Sequence, residues 1–130
     1  MSKNKRSNGP GFVSIPWKLL NSKAIQAITP MSRAMLPYFL GKPKLFFTDR
    51  QYYHKDFEFT YSEAQKLGCT RATFYRVIKD LMLNGFIDPV EKGHLSCDKG
   101  YPNRFKLSER WVLHGHCDFE SVRWESFTRN

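Results

Sequence analysis

The 130-residue chain has no continuous apolar run of the roughly 18 to 20 residues that a membrane span requires, and no internal repeat. Its three cysteines, Cys69, Cys97 and Cys117, are odd in number and irregularly spaced, which does not suggest a disulfide framework and favours reduced thiols. There is no phosphate-binding Gly-rich loop, no recognisable nucleophile motif and no spacing of carboxylates that suggests a catalytic pair, so no enzyme class is supported. The most informative absence is of acid: residues 1–48 contain no Asp or Glu.

The same 48 residues carry Lys3, Lys5, Arg6, Lys18, Lys23, Arg33, Lys42 and Lys44, which is +8 of a formal net charge of +9. The remaining 13 basic residues nearly balance all 12 acids. Charge segregated in this way marks a region that meets a polyanion or, more plainly, a solubilising tail. At 41% hydrophobic and 15% aromatic residues the chain can bury a core, and its length suits one domain. The expectation is a cytoplasmic protein with no cofactor and no membrane partner.

Residues 1–11 are polar, basic and broken by Gly and Pro, and read as a mobile basic arm. Trp17, Leu20, Ala24, Ile25 and Ile28 recur at helical steps and predict one helix. Thr29 followed by Pro30 reads as a cap and first-turn proline, opening a second helix with Met31, Ala34, Met35, Tyr38 and Phe39 on its apolar side and Pro37 inside it as a kink or stop. Leu45 to Tyr61 is rich in Phe, Tyr and Thr and suits a strand or extended loop. Ser62 to Gln65 has the form of a capping box, predicting a short helix from Glu63 to Gly68. Thr70 caps the clearest helix, with Phe74, Val77, Ile78 and Leu81 buried and Asn84-Gly85 as a left-handed stop. Phe86–Val90 and Asn103–Leu107 then form a hairpin around a long polar loop. The aromatic tail runs from Ser108 to Asn130 and packs in part on the core, with the domain taken as 12–113 and the partly packed end as 114–130.

Two helices joined by Leu67-Gly68-Cys69-Thr70 have the connection of a helix-turn-helix. Opposite the buried stripe the second helix presents Arg71, Thr73, Tyr75, Arg76 and Lys79. Arg pairs bidentately with guanine, Thr reaches a base or the thymine methyl, and Tyr, Thr and Lys hold phosphates. Base contacts come from the start of a recognition helix, which nominates Arg71, Ala72, Thr73 and Arg76 as readers beside the cap Thr70. A merely solvated helix face is the competing explanation, and Tyr75 suits packing beside the hairpin equally well.

From Tyr61 to Leu107 the chain, with SEAQKLGCTRATFYRVIKDLMLNGFI followed by NRFKL, resembles the core of winged helix-turn-helix DNA-binding proteins. Gly68, Thr70, Thr73, Phe74, Leu81, Gly85, Phe86 and Ile87 occupy the places of the motif in which Gly-x-Ser-x-x-Thr-hydrophobic leads to Leu-x-x-x-Gly-hydrophobic-Ile. The upstream IPWKLLNSKAIQAITPMSRAMLPYFL is similar to entry helices of such domains in phage- and plasmid-encoded replication or regulatory proteins. Pro37 departs from the uninterrupted helix of the family, and the wing, Glu91 to Pro102, is longer than in its smallest members.

The resemblance implies an α+β winged helix-turn-helix with three to four helices and a small antiparallel wing. It also implies a recognition helix in the major groove of double-stranded DNA and a wing on backbone or minor groove. Lys92, His94, Lys99 and Arg104 are then candidate phosphate contacts, as are Lys3, Lys5 and Arg6 of the arm. The expected role is transcriptional regulation or the replication and maintenance of a mobile element. The alternative is an interaction module for a replication or regulatory protein partner. The tail, through Trp111, Phe119 and Trp124, either supplies a homodimer interface or folds back on its own core. His94-x-x-Cys97 and His114-x-His116-Cys117 offer zinc ligands without a standard spacing, and exposed, unrelated side chains are the reading taken, with no metal expected.

Overall fold

The computed structural model describes residues 11–91 and 103–123. It is an α+β arrangement of α1 (Trp17–Leu20), α2 (Lys23–Ala27), α3 (Pro30–Leu40), β1 (Phe57–Glu58), α4 (Tyr61–Lys66), α5 (Arg71–Leu83), β2 (Ile87–Glu91), β3 (Arg104–Leu107) and a 3-10 turn at Arg110–Leu113. No helix is long and apolar enough to cross a membrane among the described residues.

The single helix expected from Trp17 is two. Ser22 is extended, its Oγ accepting from the Ile25 N–H at 3.1 Å and donating to the Leu19 carbonyl at 2.7 Å, so one side chain closes α1 and opens α2. Leu19, Ala24 and Ile28 are buried, whereas Trp17 is 78% exposed and Leu20 is also outside.

In α3 the cap is where the Thr-Pro pair predicts it, with Thr29 Oγ1 accepting from the Ser32 N–H at 3.1 Å. The buried face agrees only at Met35 and Phe39. It is Ser32, Met35, Leu36, Phe39 and Leu40, and Met31, Ala34 and Tyr38 face outward. The helix is rotated by about one residue, roughly 100°, from the predicted stripe, and the Thr29 N–H donates to Asp80 Oδ2 at 2.9 Å, tying the helix start to α5. Pro37 does not end the helix. It removes one donor in the last turn but one, and Gly41 still bonds back to the Pro37 carbonyl at 3.0 Å.

Residues 42–56 wrap over this helix in turns, anchored by the buried Tyr52, whose hydroxyl donates to the Leu40 carbonyl at 2.8 Å. Burial raises the Tyr52 phenol far above its usual range, and burial with the nearby Glu109 charge pushes Tyr53 up to about 12. A raised folded-state value means that the stabilisation is complete below the unfolded value of 10.0 and is lost as the pH rises above it. Tyr52→Phe is expected to cost about 1 to 2 kcal/mol at neutral pH, by leaving the Leu40 carbonyl unpaired, and to weaken the alkaline loss of stability. Urea unfolding of both proteins between pH 8 and pH 11 checks both effects.

The capping box before α4 lies two residues earlier than predicted. Thr60 Oγ1 accepts from the Glu63 N–H at 3.2 Å and Glu63 Oε2 accepts from the Thr60 N–H at 3.2 Å, so the box is Thr60/Glu63, not Ser62/Gln65, and the helix starts at Tyr61. Gly68, at φ +94°, makes the turn into α5. Buried Cys69 packs its sulfur 3.6 Å from that of Met35.

The sheet is antiparallel in the order β1-β3-β2, with Phe57 opposite Phe105 and Ile87 opposite Leu107. β1 is two residues long, and β2 bulges between Pro89 and Glu91, where proline has no ladder donor to give. Phe39 of α3 meets Phe59 and Phe105 at ring centroids of 4.5 and 6.1 Å, and Phe59 meets Phe74 of α5 at 5.3 Å. These rings form the centre of the core between helices and sheet. The tail packs onto the α5–β2 corner, where buried Trp111 stacks on Phe86 and His114 Nε2 bonds Asn84 Oδ1 at 2.8 Å.

Candidate nucleic-acid interface

The start of α5 is held by its cap. Thr70 Oγ1 accepts from the Thr73 N–H at 3.1 Å, and the two threonine hydroxyls bond each other at 3.0 Å, so both groups act first in shaping the helix start. At 100° per residue, Ala72, Arg76, Lys79 and Leu83 run along the face opposite Phe74, Ile78 and Leu81. Ala72 and Arg76 are exposed, and Tyr75, Lys79 and Leu83 are half-buried, with the Lys79 ammonium 5.0 Å from the Tyr75 ring.

Arg71 is exposed on the flank of that face. Its guanidinium lies 4.3 Å from the centre of the Tyr61 ring at the start of α4, a cation–π stack that orients the side chain without using any of its donors. Tyr61 is a positioning residue that sequence reading misses, because nothing local ties a residue ten positions upstream to Arg71.

The sole acid of α5, Asp80, is turned to other work. Its Oδ2 accepts from the Thr29 N–H and its Oδ1 from the Asn84 amide at 3.0 Å. Asp80 forms no ion pair with Arg71 or Arg76, and Arg76 has no hydrogen-bond or ion-pair partner among the described residues. This is a positive, donor-rich face with a small side chain, Ala72, that permits close approach.

Other nominated residues are placed differently. Arg104, at the base of the hairpin, bonds Glu58 Oε2 at 2.9 Å and Asp56 Oδ1 at 3.3 Å, so a phosphate contact would have to compete with two carboxylates. Lys92, His94, Cys97 and Lys99 of the expected wing, and Lys3, Lys5 and Arg6 of the expected arm, lie outside the described residues. Two of the eight bases before Asp49 serve the fold: Arg33 donates to the Ile25 and Gln26 carbonyls at the end of α2, and Lys42 pairs with Glu63. Burial pushes the Glu63 carboxyl up, but the Lys42 hydrogen bond, the Thr60 N–H and the Lys42 charge outweigh it and hold the carboxyl below its usual value.

The tail does not gather His114, His116 and Cys117. His114 turns to Asn84, and it is the exposed His116, Cys117 and Asp118 whose ligand atoms come within 4.8 Å of one another. Comparison with protein-family models, curated proteins and solved structures returned no match.

Proposed function

We propose that the chain is a winged helix-turn-helix protein that binds double-stranded DNA sequence-specifically, as a transcriptional regulator or in replication or maintenance of a phage- or plasmid-type element. The succession α3-β1-α4-α5-β2-β3, with a β1-β3-β2 sheet and a bulge in β2, supports the winged reading. The observation that carries it is the first half of α5, where Arg71 and Arg76 flank exposed Ala72 while the helix's own acid is engaged elsewhere.

In this reading α5 enters the major groove, Arg71 and Arg76 donate to base edges, and Lys79 and the wing lysines hold phosphates. The basic first 48 residues add affinity that falls with salt, because each phosphate neutralised releases condensed counterions. Arg71→Ala and Arg76→Ala are each expected to cost about 1 to 3 kcal/mol on the preferred site and much less on random duplex. A gel-shift titration on both duplexes at two salt concentrations tests this. Equal losses on the two DNAs would contradict base reading, and equal affinity for RNA or single strands would contradict the duplex preference.

A further inference from the structure

Between α3 and α4 lies an open trough of about 520 Å³ whose apolar lining the DNA-binding reading does not use. Its apolar surface comes from Tyr38 on the outer side of α3, Leu67 at the end of α4 and Val13 ahead of α1, which are 51%, 40% and 43% exposed. Val13, Gly41 and Lys44 also line a second hollow of about 260 Å³ with Phe12 and Leu45, so the two form one continuous surface. An apolar patch of this kind on a small domain is a site for association.

Its edge is basic. Lys42, Lys44 and Lys66 line the trough with a single acid, Glu63, which is paired to Lys42. Lys44 and Lys66 are exposed and have no partner among the described residues. Lys44 is also the one described non-glycine residue with a left-handed backbone, at φ 60°, and its N–H bonds the Gly41 carbonyl at 3.1 Å. That tight turn places Lys44 where the two hollows meet.

The charge selects the occupant. A second copy of the chain would set these lysines against themselves, and residues 1–10 of this chain carry Lys3, Lys5 and Arg6 with no acid. We infer that the trough is a docking site for an acidic amphipathic segment of a partner protein, with apolar side chains on Tyr38, Val13 and Leu67 and carboxylates on Lys44 and Lys66. The protein would then hold DNA on α5 and a second protein on the α3–α4 side.

The test is a titration of the full chain, isotopically labelled for amide spectroscopy, with a 15-residue helical peptide that places Leu and Phe on one face and Glu and Asp on its flanks. Two control peptides replace the acids with their amides, or the Leu and Phe with Ser, and vesicles rich in phosphatidylglycerol form a third arm. The expected result is saturable binding with shifts at Val13, Tyr38 and Leu67, weakened about tenfold by either control change and by Tyr38→Asp or Lys44→Glu. Both substitutions are on exposed side chains, and unchanged DNA affinity in Tyr38→Asp separates this site from α5. Absence of peptide binding, equal binding of the controls, or binding to vesicles in place of the peptide would overturn the inference.

Discussion

Arg110→Ala is expected to lower the unfolding free energy by about 3 kcal/mol, the scale for removing one partner of a mostly buried ion pair. Arg110 Nη2 pairs with Asp88 at 2.7 Å and donates to the Met82 and Ile87 carbonyls at 3.0 Å, and Nη1 donates to the Glu120 carbonyl at 2.6 Å. One guanidinium thus joins the end of α5, the start of β2 and the tail. The alanine variant leaves the Asp88 carboxylate without its cation and removes the guanidinium donor from the Met82 and Ile87 carbonyls, of which Met82 keeps the Gly85 N–H at 3.3 Å. For a chain of this size the loss corresponds to a fall in melting temperature of about 10 °C. Arg110→Lys is expected to recover part of it, because an ammonium replaces the charge but not the planar fork that serves several acceptors at once. Urea unfolding with an unchanged slope checks that stability alone has changed. Arg76→Ala, on an exposed site, is the control and should stay within about 0.5 kcal/mol of the parent.

Gly85→Ala is expected to cost as much or more. Gly85 sits at φ +91°, and an added Cβ would lie 2.6 Å from the Trp111 backbone nitrogen and 2.8 Å from the Arg110 carbonyl carbon. The conformational penalty is about 1 to 2 kcal/mol and overpacking adds about 1 to 3 kcal/mol. The obstructing atoms are backbone, so no side-chain rotation relieves them. The same close approach carries the hydrogen bond from the Trp111 N–H to the Gly85 carbonyl at 3.0 Å, which docks the tail. Loss of the Trp111 environment, read by tryptophan fluorescence together with the thermal midpoint, is the expected signature. A variant as stable as the parent would show that the tail does not hold this corner closed. Gly68 offers a contrast within the chain: its φ is also positive, at +94°, but nothing lies within 4 Å of an added Cβ, so Gly68→Ala should show the conformational cost alone.

The legible parts of this fold are those whose signals are local. Thr70, the stripe Phe74, Val77, Ile78 and Leu81, and the Asn84-Gly85 stop all act within a few residues of each other, and α5 lies where they place it. The box before α4 is placed two residues late from sequence because Ser62-x-x-Gln65 has the same form as the Thr60-x-x-Glu63 that it overlaps by two residues. β1 ends at Glu58, and Lys42 holds Glu63, which favours the earlier box. α3 contains apolar residues on more than one face, so which face is buried depends on partners distant in sequence, among them Phe59 and Phe105. The expected helix from Trp17 to Ile28 took no account of Ser22 as a cap. β1 is too short to show alternation, and Tyr61 and Arg110 act through partners that only the tertiary structure brings near.

The candidate interface divides along the same line. Arg71, Ala72 and Arg76 follow from position on a capped helix, and that helix presents them on or beside its outer face. Arg104 was nominated from charge alone, and charge is what Asp56 and Glu58 also recognise. The unbalanced +8 before Asp49 is in part structural, since Arg33 caps α2 and Lys42 serves Glu63.

The most direct measurement is selection from a random pool of duplex DNA by the full chain and by the Arg71→Ala/Arg76→Ala double variant, with matched salt and matched folding stability. An interface on α5 predicts that the parent enriches one motif, palindromic if the protein binds as a dimer, while the double variant keeps a salt-dependent affinity and enriches none. Enrichment of the same motif by both proteins, or of no motif by the parent, would contradict it.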